Sequence, residues 1–583
     1  MTQIEQAIRA DLSVDRAYKH MTFLVEEVGE RLAGTESIQK AANYIRDELE
    51  RSGLEARVDR FPIYHSYPGS AALRVTFPEE RAIEALPSCH IPSTLDEGLA
   101  GELVYVGAGG YSDYEELDVK AKIVLADMTW APPRPEKARI ALEKGAKAAI
   151  ILNWGTPDNP TIQRGAIKGV WGNPTPESFQ RIPRIPVINI TKAAGEYLKE
   201  LCAAGKVEVW FRADATQEWV LANQPVGILR AGKDVKDFVL VGSHLEGWGK
   251  TAICNSSGNA LSLELARVLA KHRDKLRRNI VFTYWDGHEI SEAAGSTYFV
   301  DTHWADLARH CVAYVDIDNP GIVGTSIPNS RSAPEIKGFL LDVIEEVWGD
   351  EGVWKMPYKG GDQSFFGVGV PYITFATGYT PEELERLNWA FLSPWLHTEA
   401  DTLDKVDKGL YGTHLDFFAA LVTRLNRAEA IPYDLSEPVA RLRSGLQGLA
   451  ELAEGVQGVT LDSLIGRAEE LAAAVQALPA ATAGGGEANQ IANEAIIKAS
   501  REISFLWAAA DKYDQDPYGY FLIGEPVPRL LVPIRQLKGL REGDQAFNLW
   551  MTKFVREKNR VSDALENATD WLVWAERIVR VPN

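Results

Sequence analysis

The chain has 583 residues, 45% hydrophobic and 25% charged, with 16 Trp. This is the composition of a folded globular protein, and the length exceeds one hydrophobic core, so about three domains are expected. A formal net charge of -19 repels phosphate backbones and anionic lipid, which excludes nucleic acid and membrane surfaces as partners.

Met1 to Ser13 mixes charged and apolar residues without an apolar stretch of signal-peptide length, and no segment elsewhere reaches a membrane span. Cys89, Cys202, Cys254 and Cys311 are scattered without framework spacing. A cytoplasmic protein without disulfides is expected. Ser37 to Leu54 repeats apolar side chains at helical spacing (Ala41, Ile45, Leu49) and stops at Gly53.

From 94 to 217 the pattern turns to short strands, at Gly101 to Val106, Lys122 to Leu125, Ala148 to Leu152 and Ile185 to Ile190, with one helix at Lys137 to Lys144. This block sits between segments, 1–93 and 218–430, that read as one larger domain, so it is taken as an insertion. From 218 to 430 apolar strands alternate with helices, as an α/β core with a mostly parallel sheet requires. Phe238 to Gly242, Ile280 to Tyr284 and Cys311 to Ile317 are near-continuous apolar runs of buried-strand length. From 431 to 583 strands give way to helices, broken by the glycine-rich stretch Thr482 to Gly486.

Reactive groups in open α/β sheets collect just past the carboxyl ends of strands. Four such places carry ligand-type side chains. Val239 to Ser243 ends in His244, with Glu246 two residues on as a candidate partner for the imidazole. Cys254-Asn255 follows and opens a leucine-rich helix. Val281 to Trp285 ends in Asp286-Gly-His288-Glu289, and Val312 to Ile317 ends in Asp318, two residues after Asp316. Far downstream comes Trp395-Leu-His397-Thr398, with Asp401 close behind.

In this order the segments resemble the family 28 metallopeptidases, which include zinc aminopeptidases, glutamate carboxypeptidase, glutaminyl cyclase and the transferrin receptor. "LDVKAKIVLAD", "EKGAKAAIIL" and "IPVINI" resemble the protease-associated domain. The resemblance implies a zinc-peptidase-like core, an inserted β-rich protease-associated domain and a C-terminal helical domain that joins two copies. It places metal ligands on His244, Cys254, Glu289, Asp318 and His397, the general base on His288, and a supporting acid on Glu246. Trp285, Gly295-Ser296 and Gly361-Asp362 also match the family's pattern, and Asp362 and Trp395 are candidates to face substrate.

Two positions depart from that pattern. Cys254 stands where a bridging carboxylate is usual, and one soft sulfur cannot replace two hard oxygens between two cations. His288 stands where a glutamate base is usual; its unperturbed pKa lies nearer neutrality. The expectation is a hydrolase of a small amide or peptide, with one transition metal ion, zinc or in its place iron. Two alternatives stand beside it. One is a Cys254 thiolate activated by His288, and the other a transferrin receptor-like scaffold without catalysis.

Overall fold

The computed structural model describes residues 2–129, 131–357, 363–478, 486–509, 511–513 and 527–580. Asp362 and Gly361, and all but the last residue of the Thr482 to Gly486 stretch, lie outside the described residues.

The core is an eight-stranded sheet in the order Glu55–His65, Glu218–Leu229, Asn279–Trp285, Phe238–His244, Cys311–Asp316, Tyr372–Gly378, Ile327–Ser332 and Val353–Lys355. Its four central strands, from Asn279–Trp285 to Tyr372–Gly378, are parallel, and antiparallel pairs flank them on both sides. Phe238–His244, Asn279–Trp285 and Cys311–Asp316 are buried along their whole length, as strands covered on both faces must be.

Side-chain alternation sends neighbours to opposite faces. Val239 and Val241 join one apolar cluster with Ile45, Leu261, Leu265 and Phe417, whereas Leu240 joins another with Phe299, Leu446 and Leu565. The first face is thus covered by the helices Glu36–Arg51, Ser257–Lys271 and Lys408–Arg427. The second receives Ala294–His310 and the C-terminal helices, among them Ser436–Leu452 and the 36-residue Gln545–Arg580. Glu36–Arg51 begins where the Thr35 side chain accepts from the Ile38 amide and ends before Gly53, whose φ of 85° stops the helix.

Glu55–His65 pairs with Glu218–Leu229 from Glu55 opposite Ile228 to His65 opposite Glu218. Between these paired ends the chain leaves the core to build a second eight-stranded sheet. Its middle is parallel, with Leu99–Tyr105, Ile123–Asp127, Ala148–Leu152 and Val187–Ile190 side by side. Pro68–Phe77, ahead of the boundary expected at 94, pairs with Glu208–Ala215 in this sheet. None of the described helices is long and apolar enough to cross a membrane.

Candidate metal centre

Parallel register aligns the ends of the central strands. His244 lies opposite Trp285, and Gly242 opposite Asp316, so His244, the turn after Trp285 and Asp318 emerge at one edge of the sheet. Cys254 arrives from an irregular turn, Ala252–Ser256, that is buried throughout. Asp401 holds that turn by accepting from the Ile253 amide at 2.9 Å and the Cys254 amide at 3.0 Å. Asn255 ties it to the neighbouring strand end by donating to the Ile317 carbonyl at 2.8 Å. His397 comes from a separate loop, in left-handed backbone at φ 55°.

The five side chains expected as ligands meet. The Cys254 Sγ lies 3.3 Å from Glu289 Oε1 and 3.6 Å from Nε2 of both His244 and His397. His244 Nε2 is 3.3 Å from Asp318 Oδ1, and His397 Nε2 is 3.1 Å from Glu289 Oε1. Ligand atoms of His244, Cys254 and Glu289 all lie within 4.8 Å of one another. A thiol, an imidazole and a carboxylate so placed suit a borderline-soft divalent ion, and Asp318 adjoins them through His244, and His397 through Cys254 and Glu289. Asp318 Oδ1 is buried and accepts no hydrogen bond, its near neighbour being the His244 ring nitrogen, and a cation between the two would satisfy it.

His288 stacks on His244, with ring centroids 4.0 Å apart and planes at 13°. Burial alone would raise the Glu289 carboxyl, but His397, His288 and His244 outweigh it and hold the group well below the usual carboxylate range. Burial pushes the Cys254 thiol well up, and Glu289, Asp318 and Asp401 push it further.

Glu246 plays a different part from the expected one. The His244 imidazole is oriented by the Glu246 main-chain carbonyl, 2.7 Å from Nδ1. The carboxylate points elsewhere, accepting from the amides of Ala33, Glu289 and Ile290 at 3.0, 2.9 and 3.1 Å. The turn after His244 directs the carbonyl at the ring and leaves the side chain to fix the Glu289 turn. Burial, with Asp286 beside it, pushes the Glu246 carboxyl up to about 8, and burial pushes Asp286 to about 7.

A cleft of about 220 Å³ opens beside the centre, walled by Met128, Arg134 and Trp154 of the insertion and by Glu289, Glu292 and His397. Trp395 does not wall it. Its ring packs against the main core with Lys405 Nζ 5.4 Å away, because the chain reverses between Phe391 and His397. Phe391, from the same aromatic run, instead meets Trp154 edge-on at 5.4 Å. Leu396 and Trp154 join Cys254 in a small apolar cluster.

Sequence reasoning missed Arg134, Arg164 and Lys168, all in the insertion. Arg134 is buried, with Nη2 donating to Gln163 at 3.2 Å and Nε to Asn189 at 3.3 Å. Only the proline-flanked Pro132-Pro133-Arg134-Pro135 marks it in sequence, and that pattern reads equally as a helix start.

Residues 226–422 match Peptidase family M28, and residues 99–198 match the PA domain. The chain is 24% identical over 505 residues to a probable glutamate carboxypeptidase of Zea mays, covering 74% of this chain and 70% of that protein. It is 28% identical over 436 residues to an aminopeptidase of Bacillus subtilis (strain 168), covering 71% of this chain and 86% of that one. Among solved structures, a zinc aminopeptidase from Bacillus subtilis shares the fold, with a TM-score of 0.55 at 24% identity over 72% of this chain and 96% of that chain. The α/β core, inserted domain and helical C-terminal region expected from sequence are the architecture found.

Proposed function

We propose that this chain, which resembles peptidase family M28 and carries a PA domain, is a metal-dependent hydrolase of an amide or peptide-like C–N bond. In this reading His244, Cys254, Glu289, Asp318 and His397 hold one ion, zinc first and iron second. The observation that carries it is the meeting of Cys254 Sγ with Glu289 Oε1 and two histidine Nε2 atoms within 3.6 Å, at the carboxyl edge of a parallel sheet. A single sulfur in place of a two-oxygen bridge favours one ion over two.

A bound ion of this kind supplies Lewis acidity, polarising the scissile carbonyl and lowering the pKa of a water. The chain's own groups do the rest. His288, half-buried and stacked on His244, moves the proton from water to the leaving nitrogen. Glu246 fixes the direction of the Glu289 turn through its amides. Arg134 offers the cleft a buried cation for a substrate oxygen, and Trp154 and Met128 keep water from one wall.

The rival thiol mechanism is disfavoured because the nucleophile must be a thiolate, and burial with three nearby acids keeps Cys254 protonated. A homodimer through the C-terminal helices is part of the proposal, supported by Trp574 and Ile578, exposed one turn apart on the last helix. Sedimentation of the purified chain checks it. A cytoplasmic setting is also proposed, on the ground that all four cysteines are free thiols.

Metal analysis tests the function. The expected result is about one tightly held transition metal per chain, lost together with chelator-sensitive amide hydrolysis in Cys254→Ser. Protein that takes up no zinc and hydrolyses nothing, whether or not Cys254 is replaced, would return the chain to the scaffold alternative.

A further inference from the structure

Residues 163–173 of the inserted domain lie across the core beside the metal centre and are tied to both ligand-bearing loops. The Arg164 amide donates to the His397 carbonyl at 3.0 Å, and its guanidinium bridges Glu399, at 2.6 Å, and Glu30. Glu30 in turn accepts from the Gly249 amide at 3.0 Å, in the loop between His244 and Cys254. Farther along, Lys168 is fully buried, and its Nζ donates to the Ser291 carbonyl at 2.6 Å and to the Gly172 carbonyl. The Gly172 amide donates to the Glu292 carbonyl at 2.7 Å.

Ser291 and Glu292 follow closely on the His288-Glu289 pair. Glu292 and Ala293 both hold left-handed backbone, at φ 49° and 58°, a conformation that persists in non-glycine residues only where the surroundings enforce it. From the core side, Glu246 pins this turn by the Glu289 and Ile290 amides, and His65 Nδ1 meets Ser291 Oγ at 2.9 Å. From the insertion side, the pins are Lys168 and Gly172. Burying an ammonium is unfavourable unless its hydrogen bonds are made, so a lysine here is explained by the carbonyls that it holds.

We propose that Lys168 is a positioning residue, fixing the Ser291 carbonyl and through it the direction in which His288 and Glu289 enter the centre. The inserted domain is then a structural part of the metal site as well as a wall of its cleft. This rests on the metal-centre reading above, and the experiment separates the two.

Lys168→Met removes the donor at similar volume, and Lys168→Arg keeps charge and donors; Lys168→Gln replaces the first if it proves insoluble. Each is loaded with cobalt(II), with the visible spectrum and affinity measured against a competing chelator, and hydrogen exchange is followed at the Glu289 and Ile290 amides. Lys168→Met should bind cobalt roughly 10- to 100-fold more weakly, with an altered spectrum and faster exchange at both amides, and Lys168→Arg should recover part of each. If the wild-type chain takes no cobalt, the metal-centre reading fails, and the exchange rates alone decide the clamp. Unchanged exchange at both amides in Lys168→Met overturns the proposal.

Discussion

The Cys254 Sγ lies 3.3 Å from Glu289 Oε1, close enough for the thiol to donate to the carboxylate. Without a cation that arrangement keeps the proton on sulfur, because a thiolate would face Glu289, Asp318 and Asp401 in a buried setting. A divalent ion reverses the balance, since a coordinating thiol is deprotonated outright.

Zinc uptake should therefore release a proton from Cys254. Calorimetric titration at pH 7 in two buffers of different ionisation heat reads the number released, and about one is expected from this thiol. Cys254→Ser should release about one fewer and bind at least 10-fold more weakly, because an alcohol is a poor ligand for zinc. Equal release from both proteins would remove Cys254 from the ligand set.

The share of stability that Glu246 and Asp286 contribute to the metal-stripped protein should fall as pH rises from about 4 to about 8. Glu246 and Asp286 are held up to about 8 and about 7, above the ordinary carboxylate range, so these two groups bind more protons in the folded than in the unfolded chain across that window. Their contribution is fully present below the unfolded pKa values and is lost as pH passes the folded ones. Each proton is worth about 1.4 kcal/mol per pH unit while the difference lasts. Glu289, held below its ordinary value, acts in the opposite direction below about pH 4, and His65, His90 and His414, which burial holds neutral, do so below about pH 6.5. Urea unfolding of the wild type and of Glu246→Gln at pH 5 and pH 8 isolates the Glu246 share, because the histidines act alike in both proteins: the change from pH 5 to pH 8 should be less favourable in the wild type than in the variant.

His244, Glu289 and Asp318 could be found in sequence because each follows an apolar run of strand length, and the parallel register of those strands brings their ends to one edge. His397, expected past a strand end, stands on a loop, as Cys254 stands on a turn, and only their resemblance to family segments joins these two to the others, for the His397 loop meets Cys254 across 143 positions. Glu246 shows where such reasoning stops. A carboxylate two residues from a histidine can orient it through either the side chain or the main chain, and only the turn geometry decides. Trp395 fails for a related reason, because an aromatic run reads the same whether it walls a pocket or packs a core. Arg134, Arg164 and Lys168 act through contacts with groups far off in sequence, which leave no mark in periodicity or composition.

Gly165→Ala should disturb substrate binding without touching a ligand. A methyl at Gly165 would come 1.8 Å from Arg134 Nη1 and 2.6 Å from its Cζ, forcing the guanidinium aside in the cleft. A rise in KM on the order of 10-fold is expected, the weight of one charge-assisted hydrogen bond, with kcat and zinc content near wild type. Steady-state kinetics on any amide that the protein hydrolyses reads the split. A loss of kcat at constant KM would mean that Arg134 serves the chemical step and not binding.

Asp401→Asn should weaken the centre from outside the ligand set. Asp401 lies just past His397 in the chain, yet its two oxygens accept separately from the Ile253 and Cys254 amides, so one carboxylate locks the histidine loop to the cysteine turn. An asparagine offers one acceptor and turns its amide toward the other N–H, leaving a buried donor unsatisfied at about 1–3 kcal/mol. Because burial raises the Asp401 carboxyl to about 6, the group is charged at pH 7.5 and increasingly neutral at pH 5. A protonated Asp401 has lost one of its acceptors in the same way as asparagine. Zinc affinity should thus fall roughly 10- to 100-fold in Asp401→Asn at pH 7.5, and the gap to wild type should narrow at pH 5. Competition with a chromogenic chelator at both pH values measures it, and a gap that stays constant with pH would assign the loss to packing and not to the two amide contacts.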